Sequence, residues 1–126
     1  MSADRDLRER TFAFSLRVMN LAKTLAKEPS ARVIRDQVLR SALSIGANYR
    51  ESCHSRSVAD FISRIKICEG EADETHYWLG LLKKGELVRP ERLDALEQEA
   101  YELACIFSTI SINTQKKNRE TKKKPR

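Results

Sequence analysis

Glycine and proline are scarce in this chain, with four and three copies among 126 residues. Combined with a charged fraction of 33%, that scarcity suits long helices with solvated outer faces, and no strand pattern competes. The cysteines are few and scattered: Cys53, Cys68 and Cys105. An odd set with no CxxC pair indicates neither a zinc knuckle nor a disulfide framework. Each thiol falls in a helical pattern, where a reduced cysteine packs as a small hydrophobe, and a reducing cytoplasm is the expected compartment. Long apolar runs are missing too. The longest uncharged stretch, near Ala104 to Gln115, is too short and too polar to span a bilayer. The first ten residues, MSADRDLRER, hold no apolar segment of the secretory kind, so no membrane partner is expected.

Catalytic equipment is equally thin. No glycine-rich phosphate loop is present. Neither of the two histidines stands at a helical spacing that would pair it with Cys68 or Cys105. Cys53 and His54 are adjacent, and adjacent side chains on a helix point about 100° apart. These absences point away from an enzyme, a cofactor and a small-molecule substrate.

What is present is one domain's worth of chain. A protein of this length buries about two-thirds of its unfolded surface, enough for a core without staples. The net charge of +6 is unevenly placed. Residues 115–126, QKKNRETKKKPR, hold seven basic side chains and one acid, while the other 114 residues balance 17 basic against 17 acidic. The basic character therefore belongs to the tail and not to the body.

Taken in order, the periodicity predicts helix one from Ala3-Asp4 to about Ala26. Its stripe is Leu7, Phe14, Val18, Leu21 and Leu25, with Thr11 filling the missing step. Phe12, Leu16 and Met19 lie off this stripe. Pro29 ends that helix and Ser30 caps the next. Helix two spans about Ala31 to Cys53, with Ile34, Val38, Ala42, Ile45 and Tyr49 facing inward. A small, polar stripe of Gln37, Ser41, Ser44 and Asn48 runs beside it. Gly46 costs about 1 kcal/mol inside a helix, which implies a close neighbouring backbone. Ser57 caps helix three, whose core stripe is Val58, Phe61, Ile62, Ile65, Cys68, Ala72, Leu79 and Leu82. A second stripe holds Ile67, Glu71, Glu74, Trp78 and Leu81. Gly85 marks its end. Pro90 opens helix four, where Leu93, Leu96, Ala100, Leu103, Phe107 and Ile110 keep heptad spacing. Tyr101, Cys105 and Ile112 form a partial second stripe. Four such helices with short connections imply an all-α, antiparallel up-down-up-down four-helix bundle over residues 1–114. Residues 115–126, with no apolar side chain to bury, are expected to form a disordered basic tail. The glycine-and-serine face of helix two is expected to lie tight against helix three.

One polar constellation stands out. Helix three offers Glu69, Glu71, Asp73 and Glu74 around one turn. Arg40 or Arg50 of helix two, with Ser41, Ser44, Asn48 and Glu51 beside them, is expected to form a network with some of these acids, Glu71 and Glu74 above all. Acids this close repel unless cations or donors meet them, so the simplest reading is a structural network that fixes helix register. A metal site is the competing reading. A di-iron bundle needs Glu-x-x-His on two helices, and only Asp73-x-x-His76 approaches that motif. Glu69, Asp73 and His76 stack on one helix, but a lone histidine on an acidic helix is ordinarily solvated or ion-paired, so no metal is expected. Trp78 and Tyr77 have faces on which bases stack, yet a tryptophan in an apolar bundle stripe normally belongs to a core or a subunit interface. In the tail, Lys116, Lys117, Arg119, Lys122, Lys123, Lys124 and Arg126 are candidates for phosphate contacts; the competing reading is a solvated charge run.

Three segments carry a family likeness: RTFAFSLRV at Arg10–Val18, QVLRSALSIGANYRES at Gln37–Ser52 and SVADFISRIKICEGEADETHYWL at Ser57–Leu79. In these the chain resembles the four-helix bundle proteins named after intervening sequences in large-subunit ribosomal RNA genes. Helix four matches in length and pattern only, and the tail lies outside the likeness. The resemblance implies an antiparallel bundle, a ring-like homopentamer and a bacterial cytosolic protein of poorly defined role. A related accessory protein of diversity-generating retroelements is basic, pentameric and binds nucleic acid with its reverse transcriptase, so RNA or DNA is an implied partner. Arg40, Ser41, Ser44, Asn48, Glu51, Glu71, Glu74 and Trp78 match the family pattern, and none carries a catalytic role to transfer. The alternative reading is a protein–protein scaffold that recruits a partner enzyme through Phe12, Leu16, Tyr77, Trp78 and Leu81.

Overall fold

The structure, a computed structural model, describes residues 3–25 and 28–123. Four helices account for nearly all of them: α1 Ala3–Lys23, α2 Pro29–Ser52, α3 Val58–Lys84 and α4 Pro90–Lys123. Each helix packs only on its neighbours in the order α1, α2, α3, α4 and back to α1, which is an antiparallel up-down-up-down bundle. No strand occurs among the described residues, and no helix there is long and apolar enough to cross a membrane.

The core is the expected seam. Phe14 and Val18 of α1, Val38 and Ile45 of α2, Ile65 and Leu79 of α3, and Leu103 and Phe107 of α4 are all withdrawn from solvent. Tyr49 and Phe107 meet across it with ring centroids 5.9 Å apart. Two polar residues fill stripe positions in α3 and α4 that apolar counting passes over: Thr75 and Ser111 are buried. At the other extreme, Val58 is 46% exposed, and Phe61 and Ile62 are half-buried. In the first turn of α3, Phe61 packs against the edge of the core as expected, whereas Val58, also expected there, faces solvent.

Helix ends follow local chemistry, with two departures. Glu28, not Ser30, caps α2: its carboxylate accepts from the amides of Ser30 at 3.1 Å and Ala31 at 2.9 Å. Pro29 then occupies the first helical position, where its missing N–H leaves nothing unsatisfied. The Ala26 end expected for α1 falls outside the described residues; α1 itself ends at Lys23. Ser57 caps α3 by accepting from the Asp60 amide at 3.0 Å. Past Gly85, Leu87 N–H returns to the Leu82 carbonyl at 3.0 Å and Glu86 N–H to Lys83 at 3.0 Å. This is a Schellman closure whose left-handed residue is Glu86, at φ 59°, and not the glycine before it.

The second departure is the length of α4. The expected disordered tail begins at residue 115, yet α4 continues in one piece to Lys123. Gln, Lys, Arg and Glu are good helix formers, and a helix already anchored by six buried side chains from Leu93 to Ser111 extends at little cost. Nothing apolar holds this end: every side chain from Arg119 to Lys123 is exposed.

Candidate functional site

Two polar regions of this bundle are chemically distinct. The first is the α2–α3 seam. Arg40 reaches across it: its guanidinium bonds Glu74 and lies 3.4 Å from Glu71. Glu74 Oε2 also accepts the Trp78 indole N–H at 2.9 Å, which fixes the half-buried ring against the core. At the next residue of each helix, turned into the core, Ser41 Oγ lies 2.8 Å from Thr75 Oγ1, and Thr75 is a further 2.8 Å from the Glu71 carbonyl. Both side chains are fully buried.

The remaining members expected in this network lie elsewhere. Asn48 donates to the Ser44 carbonyl at 2.9 Å within α2. Glu51 meets Arg64 at 2.9 Å near the α2–α3 turn, where Arg64 also holds Asp60 at 3.2 Å. Gly46 does not face α3. A Cβ placed there would come within 3.3 Å of Thr11 Oγ1, so the close approach is to α1. The small-residue face of α2 is thus divided, with Ser41 against α3 and Gly46 against α1. A small side chain marks tight packing without saying which neighbour provides it.

Electrostatics elsewhere serve assembly. At the α1–α4 seam, Arg10 grips Glu99 with two bonds of 2.7 and 2.8 Å and touches Glu102 at 3.1 Å. That fork holds the Arg10 pKa above its ordinary range, chiefly through the hydrogen bond to Glu99. Lys83 joins α3 to α4 through Glu97 at 2.7 Å and Asp94 at 3.2 Å, and the bond to Glu97 leads in raising its pKa. The Cys68 thiol, 3.8 Å from the Ile45 carbonyl, is pushed up to about 12 by burial. Cys105, expected to pack inward, is exposed instead.

No three His, Cys, Asp or Glu side chains among the described residues converge as a metal ion requires. His76 packs beside Tyr101, ring centroids 6.2 Å apart. The residues that sequence reasoning missed are Thr75, Arg64, Arg10 and Glu99. Thr75 carried a signal: it fills the gap between Ala72 and Leu79, as Thr11 does between Leu7 and Phe14. The others needed the helix order to bring them together.

The second region is the basic end of α4. Lys116, Lys117, Arg119, Lys122 and Lys123 are all exposed on the last two turns, with Glu120 the one acid among them. Lys116, Arg119 and Lys123 share one face at spacings of three and four residues. Lys124 and Arg126 lie outside the described residues.

Fold and seam define a four-helix bundle protein whose polar residues knit helices together. The sequence profile of the 23S rRNA-intervening sequence protein family matches residues 3–109, and the chain belongs to that family. Among solved structures, it is similar to a protein of unknown function from the S23 ribosomal protein family of Bacteroides thetaiotaomicron VPI-5482. The identity is 36% over 83% of this chain and 97% of the other, with a TM-score of 0.78. No curated protein matches the chain.

Proposed function

We propose that this chain is a non-enzymatic, oligomeric bundle protein of the cytoplasm that binds RNA or DNA through the basic end of α4. The observation that carries the reading is the cluster of exposed lysine and arginine on a helix that outruns its bundle, beside a body of balanced charge. A rigid helix presents those charges without the ordering cost that a disordered tail bears on binding. The names of the family and of its relative both point to ribosomal RNA or the ribosome, which makes RNA the nucleic acid to test first.

Self-assembly belongs to the same reading. Phe12, Leu16 and Met19 of α1 line a groove with Leu43 of α2, while Ile67, Tyr77 and Leu81 are exposed on α3. Two unlike apolar faces suit a heterologous contact that closes into a ring, as the homopentamer implied by the resemblance requires. A ring would carry several basic helices on one particle and raise avidity without any new contact.

The test is a mobility-shift titration with single-stranded RNA. The wild type is compared with a chain in which Lys116, Lys117, Arg119, Lys122 and Lys123 are replaced by Gln. Neutralising six phosphates gives a log–log salt slope of about −4, and the replaced chain should lose most of that slope and affinity. Equal binding by both chains, or none by either, overturns the proposal. The same exposed aromatic and aliphatic side chains favour a second reading, a scaffold for a partner enzyme. A partner that co-purifies and survives nuclease treatment would support it.

A further inference from the structure

At the end of the bundle from which the basic part of α4 projects there is a cleft of about 560 Å³. The last turn of α2, the α2–α3 turn and the first turn of α3 form one side, and Thr114 of α4 the other. Its floor is apolar. Tyr49 is buried, Phe61 packs on the core and still lines the cleft, and Val58, 46% exposed, lines it too. Hydroxyls edge that floor. Ser52 and Ser55 donate to the carbonyls of Tyr49 at 2.6 Å and Ser52 at 2.7 Å, and their own oxygens keep the capacity to accept. The rim is cationic: Arg56 lines it and is exposed. Lys117, also exposed, lies three residues past Thr114 and so on the same face of α4, one turn beyond. The acids beside the α2–α3 turn, Glu51 and Asp60, are both held by Arg64. Glu120 is six residues past Thr114, about 120° around α4.

From this arrangement we propose that the cleft seats one base of a single-stranded RNA, with the phosphates on either side of that base on Arg56 and Lys117. The proposal rests on the reading of α4 as an RNA-binding end and adds what lysines alone do not supply, a contact that tells a strand with free bases from a duplex. A base in a duplex is stacked and paired, whereas a single strand can turn one out onto an aromatic side chain. Phe61 is that side chain here, and the serine oxygens are acceptors for the N–H groups on a base's edge. The volume falls within the range of about 300–1,000 Å³ typical of small-molecule sites. An RNA strand uses the floor and the basic run beyond it together; an apolar peptide would use the floor alone. The cleft shares no residue with the α1–α2 groove or with Ile67, Tyr77 and Leu81 of α3, so self-assembly through those faces leaves it open.

The test is a set of mobility-shift titrations of the full chain across a salt series, with a mixed-sequence RNA strand carrying 4-thiouridine and with its duplex. The wild type should bind the strand about tenfold more tightly than the duplex. Phe61→Leu keeps most of the core packing and discards the aromatic face. It should lose about that factor on the strand at every salt concentration, with an unchanged slope, and leave duplex binding as it was. Arg56→Gln should instead flatten the slope by about 0.7, one phosphate's share on a single strand. Phe61→Tyr keeps the ring and should bind like the wild type, which separates a lost stacking face from a damaged fold. Near-ultraviolet irradiation should join the strand to residues of the cleft, read by mass spectrometry of the digested adduct. Equal affinity for strand and duplex, binding indifferent to Phe61→Leu, or adducts confined to α4 beyond Thr114 overturns the inference and leaves the cleft to another occupant. The chain with five Gln replacements would then still lose its salt slope, and the α4 reading stands. If that chain binds as the wild type does while Phe61→Leu fails, the base contact survives and the α4 contact falls. No binding by any chain overturns both.

Discussion

Thr75 Oγ1 sits 2.8 Å from Ser41 Oγ, and both hydroxyls are sealed between α2 and α3. Each hydroxyl keeps a backbone acceptor when the other is removed, Thr75 at the Glu71 carbonyl and Ser41 at the Val38 carbonyl, so what each single variant loses is one buried hydrogen bond of about 1 kcal/mol plus its packing. Ser41→Ala and Thr75→Val should therefore each destabilise the fold by about 1–2 kcal/mol. The double variant should cost less than the sum of the singles, by about 0.5–1 kcal/mol. Urea unfolding of the four proteins measures this; strict additivity would show that the two hydroxyls do not depend on each other.

Gly46 is the place where α1 comes closest to α2. An added Cβ would stand 3.3 Å from Thr11 Oγ1 and 3.4 Å from Thr11 Cβ. Thr11 has little freedom to yield, being buried with its hydroxyl donating to the Leu7 carbonyl at 2.7 Å. In an open helix Gly→Ala would gain about 1 kcal/mol. Here Gly46→Ala should cancel that gain or become a net loss of about 1 kcal/mol, and Thr11→Ala in the same chain should recover part of it. Thermal unfolding reads the sign directly.

These two sites show where sequence periodicity was informative. Phe14, Val18, Ala42, Ile45, Leu103 and Phe107 stand in the interior because apolar side chains at 3.6-residue spacing have one face to bury. Thr75 escaped because it is polar, although it falls on the same spacing. Gly46 was legible as a close contact but not as a contact with α1, since a missing side chain has no direction. Glu51 was expected beside Glu71 and Glu74, and its real partner Arg64 was missed because their meeting depends on the α2–α3 turn. The basic end of α4 was legible in charge but not in conformation, because a polar segment with good helix formers is helical or not according to what nucleates it.

Thiol chemistry should separate the cysteines. Burial pushes the Cys68 pKa to about 12, so at pH 8 it holds almost no thiolate. Cys105 is exposed and Cys53 half-buried. A disulfide reagent at pH 8 should modify Cys105 first and leave Cys68 untouched until the protein unfolds. Mass spectrometry of the digested product gives the order, and early modification of Cys68 would mean that the core opens more readily than its packing suggests.

Acid should act on the α2 cap. The amides of Ser30 and then Ala31 hold the Glu28 carboxylate below its ordinary value of 4.5. A group whose folded pKa is depressed adds stability above the unfolded pKa and loses it as pH falls through the folded one. The Glu28 contribution is therefore whole at neutral pH and disappears below about 4.5. Unfolding curves of the wild type should drop across that window more steeply than those of Glu28→Gln, which keeps an acceptor oxygen but cannot titrate. Parallel curves would show that the cap does not depend on charge.

Glu86 offers the reverse experiment, a gain. It holds φ 59° at the close of α3, a conformation that costs a residue with a Cβ roughly 1 kcal/mol and costs glycine almost nothing. Its side chain is exposed, so replacing it removes no core packing. Glycine also loosens the unfolded chain, which offsets part of the relief. Glu86→Gly should still raise stability by about 0.5 kcal/mol, seen as a higher urea midpoint with an unchanged slope. Glu86→Ala separates strain from charge: alanine keeps the Cβ and discards the carboxylate, so it should stay near the wild type. If alanine stabilised as much as glycine, the left-handed backbone would not be the source of the gain.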